Sequence, residues 1–142
     1  MGRGDALKAV GLALAALALN LAFTTAVIFA YAGLVAPGRP DSFYPAQAPL
    51  IAGWSAPLGG ALVLFGFMAW LGRRRPGRRA FVFAAATWVA YVVMDVGSGV
   101  AMGGVRDMLS LQITISLLAA LLGALAGAAL SQAGSARQET AS

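Results

Sequence analysis

Apolar residues in this chain fall into four long runs separated by short polar breaks, at residues 9–36, 50–71, 80–102 and 108–130. A helix rises ~1.5 Å per residue, so about 20 apolar residues cross a ~30 Å hydrocarbon layer. Each run is that long. The pattern therefore predicts an all-α integral membrane protein, a four-transmembrane-helix bundle forming one domain over residues 9–131. Residues 1–8 read as a short polar lead and 132–142 as a polar tail expected to be disordered. A basic start followed by Ala and Leu is also a signal-peptide pattern, but a signal h-region stops after about 7–15 residues. Here the run continues through Phe23, Val27, Ile28, Phe29 and Tyr31, which predicts a retained helix.

The breaks carry their own signals. Pro37, Pro40, Pro45 and Pro49 predict a loop over 37–49, with Phe43 and Tyr44 as interfacial anchors. Residues 103–107 read as a tight turn. Pro57 lies inside the second run and predicts a kink there, because it removes the donor for the Gly53 carbonyl. In the fourth run Gly123 and Gly127 form a GxxxG spacing, a helix-packing signature whose partner helix lies either in this chain or in another copy.

Composition sharpens the class. Charged residues make up 11% of the 142 positions, against about 25% in soluble domains. The net charge of +5 does not indicate nucleic acid, because Arg73, Arg74, Arg75, Arg78 and Arg79 all sit in one connection between apolar runs. A basic loop there follows the positive-inside rule and also suits anionic lipid headgroups. Arg3, Lys8, that loop and Arg137 fall on one side, whereas Arg39 and Arg106 fall on the other. The expected topology is N-in/C-in, multi-pass in a bacterial cytoplasmic (inner) membrane, the arginine excess over lysine suggesting a bacterial source.

The chain has no Cys and no His, which removes disulfides, thiol chemistry and Cys/His metal sites. No metal, cofactor or catalytic residue set is predicted, and an enzyme is not expected. Asp95 is the one carboxylate within an apolar run. It lies 15 residues past Ala80, ~22 Å along a helix and thus in the half away from the arginine loop. Thr87, Tyr91 and Asp95 share one helix face, as do Asn20 with Thr24 and Gln112 with Ser116. Depth counting puts these polar groups in one layer. A lone acid within a span costs about 2.5–3.5 kcal/mol and normally faces a bundle interior or a wet cavity.

The sequence thus predicts a pocket of Asp95, Tyr91, Gln112, Thr24 and Asn20 that binds a cation or exchanges a proton. The alternative is that Asp95 hydrogen-bonds Gln112, Thr24 or Ser116 and pins the helices. The function expected from Asp95 is a proton- or cation-coupled transporter of small cationic or lipophilic solutes, and the chain resembles the small multidrug resistance exporters in length and span count only. Those exporters place their essential acid in the first span; here it stands in the third. The competing function is a non-catalytic accessory or scaffold subunit of a larger membrane complex. Expected partners are the lipid bilayer and either a second copy or another membrane protein.

Overall fold

The computed structural model describes residues 2–75, 77–103 and 110–139. The chain folds into helix α1 (Arg3–Ala30), α2 (Phe43–Leu71), α3 (Arg78–Gly103) and α4 (Leu111–Glu139). A π-helical turn, Tyr31–Val35, extends α1, and a 3₁₀ turn, Gly72–Arg74, extends α2. Four segments are long and apolar enough to span a membrane, the shortest two having 24 residues and hydropathy 1.7 and 2.2. At ~1.5 Å per residue even these exceed a ~30 Å hydrocarbon layer.

Two expectations are corrected. Residues 43–49 are helical rather than loop. Pro45 stands in the first turn of α2, where a backbone N–H has no partner in any case, and Pro49 and Pro57 are accommodated inside the helix. Residues 132–139 of the polar tail, expected to be disordered, continue α4. Most of the turn expected at 103–107, including Arg106, lies outside the described residues, as do Met108 and Leu109.

On α1 and α4 the buried face is marked by small side chains. The buried positions of α1 are Ala9, Ala13, Ala16, Asn20 and Thr24, a stripe at three- and four-residue spacing. Ala120, Ala124, Ala128 and Ser131 make the matching stripe on α4. Large apolar groups such as Phe29, Val93 and Leu122 point outward, each at least 66% exposed. On α1 and α4 small residues face inward and large ones outward, which suits an apolar surrounding, while Leu64 and Met68 of α2 and Phe83 and Tyr91 of α3 fill the interior.

The helices pack in the cyclic order α1, α2, α4, α3, with α2 and α3 on the diagonal. The tightest seam is α2 against α4, where Gly123 lies on the Ala61 carbonyl and Gly127 on that of Phe65. The GxxxG partner is therefore α2 of the same chain. Across the α3–α4 seam, Trp88 Nε1 donates to the Leu117 carbonyl at 2.9 Å.

The connection from α2 to α3 is clamped from α4. Gln132 Nε2 donates to the carbonyls of Arg75 (3.0 Å) and Gly72 (3.3 Å), and its Oε1 accepts from the Gly77 N–H at 2.7 Å. Gly77 has φ +53°, a turn conformation that a Cβ disfavours. Gln132→Ala removes all three bonds. Each is worth about 1 kcal/mol, so tryptic cleavage within 72–79 should accelerate at least about fivefold, as followed by mass spectrometry of the detergent-solubilised protein. An unchanged cleavage rate would show that the clamp does not order the loop.

Candidate functional site

In the half of the bundle away from the arginine loop, all four helices border one cavity of about 260 Å³. Asn20 comes from α1, Ala52, Ala56 and Pro57 from α2, Tyr91, Asp95, Ser98 and Gly99 from α3, and Gln112, Ile113 and Ser116 from α4. The location follows from helix direction. Asp95 is 17 residues into α3 from Arg78, ~26 Å at helical rise, while Gln112 and Ser116 open the antiparallel α4.

Four of the five residues expected to form the pocket, Asp95, Tyr91, Gln112 and Asn20, border this cavity. Thr24 does not. It is buried on the same α1 stripe one turn further along, and its hydroxyl has no hydrogen-bond partner among the described residues. Thr87, on the Asp95 face, bonds its own helix at the Phe83 carbonyl, 2.9 Å away. That back-bond satisfies a buried hydroxyl without any ligand.

The polar contact that ties the site across the bundle joins α1 to α3. Asn20 Nδ2 donates to the Tyr91 hydroxyl at 2.9 Å, and both side chains are buried. Having accepted that bond, the Tyr91 hydroxyl keeps its own proton to donate. Asn20 Oδ1 rests against Gly59 of α2 and lacks a hydrogen-bond partner among the described residues, as does Ser55 Oγ. Gln112 is placed by contact of its amide with Gly53.

Asp95 is half-buried, and among the described residues nothing ion-pairs with or hydrogen-bonds its carboxylate. The Ser98 hydroxyl at 2.9 Å goes to the Asp95 backbone carbonyl, not to the side chain. The bonds from Gln112, Thr24 or Ser116 that a purely packing acid needs are not made. Tyr91 precedes Asp95 by one helical turn on the same face, so a proton donor stands beside the acid. Pro57, on the cavity wall, leaves the Gly53 carbonyl without its usual intrahelical donor. The site therefore offers one carboxylate, acceptor oxygens and an amide, with no cationic side chain among the described residues that line it. No cluster of three metal-ligating side chains occurs among the described residues.

At the other end of the bundle a cleft of about 910 Å³ lies between the starts of α1 and α3. Arg74, Arg75, Arg78 and Arg79 border it, and so do Asp5 and Lys8. Arg73 does not border it. Arg75 is held inside the protein: it pairs with Asp5 at 3.3 Å and stacks 3.7 Å above the Phe83 ring. The sequence groups the five arginines and puts Lys8 on their side of the bundle, but it does not single out Gln132 or Trp88, because loop charge alone does not show which helix lies opposite. Comparison of the chain with protein-family models, curated proteins and solved structures gives no match.

Proposed function

We propose that the chain crosses a bacterial cytoplasmic membrane four times, with the arginine loop and both ends inside. In this reading it is a proton-coupled transporter of small cations, centred on Asp95. The observation that carries it is a carboxylate with no partner among the described residues, bordering a cavity to which every helix contributes. A carboxylate oxygen can hold a proton or face a cation. Proton and cation then compete for one group, which is the elementary requirement for exchange. Tyr91, fixed by Asn20, supplies a hydroxyl beside the acid, and Gln112 closes the side contributed by α4.

At about 260 Å³ the cavity falls just under the ~300–1,000 Å³ of typical small-molecule sites, which favours an inorganic cation or a small ammonium. Gly123 and Gly127 pack on α2 of the same chain, so that pair does not support the alternative reading, an accessory subunit of a larger membrane complex. The test uses the full chain in liposomes with a pH-sensitive dye inside. A gradient of sodium or tetramethylammonium should drive proton movement above that of protein-free vesicles. Folded, oriented protein that moves no protons with either ion would overturn the reading.

A further inference from the structure

We infer that the cleft between α1 and α3 is a binding site for the headgroup of an anionic glycerophospholipid. The inference concerns a different site from Asp95 and rests only on the membrane insertion proposed above.

The cleft holds five cationic side chains and one carboxylate. The carboxylate, Asp5, is already paired with Arg75. Arg75 is further committed to the Leu71 carbonyl and the Phe83 ring, so it shapes the wall rather than waiting for a ligand. Lys8, Arg74, Arg78 and Arg79 make no hydrogen bond or ion pair with any described residue. All four are exposed and border one cavity from three segments: α1, the 3₁₀ turn and the start of α3. Topology alone requires basic residues on that side but not their convergence on a cleft. Convergence of free donors is what an anion recognises.

The remaining lining identifies the kind of anion. Leu71, Val82 and Phe83 form an apolar wall directly beside the cations. A free phosphate gains nothing from such a wall, whereas an amphiphile places its phosphate on the cations and its glycerol and first methylenes on the wall.

The experiment measures lipid retention by native mass spectrometry on the intact chain in mild detergent, with phosphatidylglycerol, phosphatidylcholine or inorganic phosphate added. Phosphatidylglycerol should be retained in preference to the other two. Lys8→Gln and Arg78→Gln, on different helices, should each weaken that retention about fivefold, as expected for one basic residue at an anionic surface. Arg73→Gln removes the same charge from the same loop outside the cleft and should leave retention unchanged. Equal weakening by Arg73→Gln, or no weakening by Lys8→Gln and Arg78→Gln, would reduce the effect to diffuse charge and overturn the site. Equal retention of phosphatidylcholine would overturn headgroup selectivity, and phosphate binding as tight as the lipid would make it a soluble-anion site. Resistance of the native protein to alkaline extraction from membranes tests insertion separately.

Discussion

Gly123→Ala is expected to destabilise the bundle by about 2 kcal/mol, and Gly123→Leu to prevent its assembly. A Cβ at Gly123 falls on the carbonyl of Ala61, backbone of the facing helix. A side chain in the way can rotate aside; backbone cannot, so α2 and α4 must separate along the seam where the bundle is tightest. Gly127, against the Phe65 carbonyl, should behave in the same way. Gly66 is the control. It lies on α2 with nothing within 4 Å of where a Cβ would stand, so Gly66→Ala and Gly66→Leu should stay within about 1 kcal/mol of the parent. The midpoint of SDS-induced unfolding, read by tryptophan fluorescence, measures the series. If Gly123→Ala and Gly66→Ala cost the same, the α2–α4 contact is not the one described.

Asp95→Asn is the second large effect, and it runs in opposite directions for activity and stability. Proton movement driven by a cation gradient should fall to the rate of protein-free liposomes, because Asn holds no exchangeable charge. Stability should be unchanged or raised. An intramembrane Asp costs about 2.5–3.5 kcal/mol on insertion scales, and no described residue bonds this carboxylate to offset that cost. A packing acid predicts the reverse, a lower SDS midpoint when its bonds are lost. Loss of exchange at full stability therefore separates a working carboxylate from a structural one. Loss of both would mean that Asp95 holds the helices together.

The four helices were legible because long apolar runs have few alternatives, whereas their ends were not. Prolines at 45 and 49 looked prohibitive, yet the first sits where no N–H is needed and the second costs a single bond. The helix over 132–139 was hidden by its polarity, and its anchor, Gln132, works through three contacts more than 50 residues away in sequence. Helical spacing placed Asn20 and Tyr91 on inward faces, but their mutual bond depends on which helices become neighbours. The same limit applied to Gly123 and Gly127, whose spacing announced a close approach without naming the partner. Thr24 shows the converse error. Its i+4 relation to Asn20 put it on the right stripe, but the only described α1 residue lining the cavity is Asn20.

The central claim is a polar cavity around Asp95 that opens away from the arginine loop. Because the chain contains no Cys, a single introduced thiol reports its own surroundings without background. Ser116→Cys places that thiol on the cavity wall, and Leu118→Cys places one two residues along α4 on the outward apolar surface. Intact cells or oriented vesicles treated with a membrane-impermeant maleimide should label Ser116→Cys from the side opposite the arginine loop, and Leu118→Cys from neither side. A Ser116 thiol that is silent from both sides, or that reacts only from the arginine side, would contradict the account.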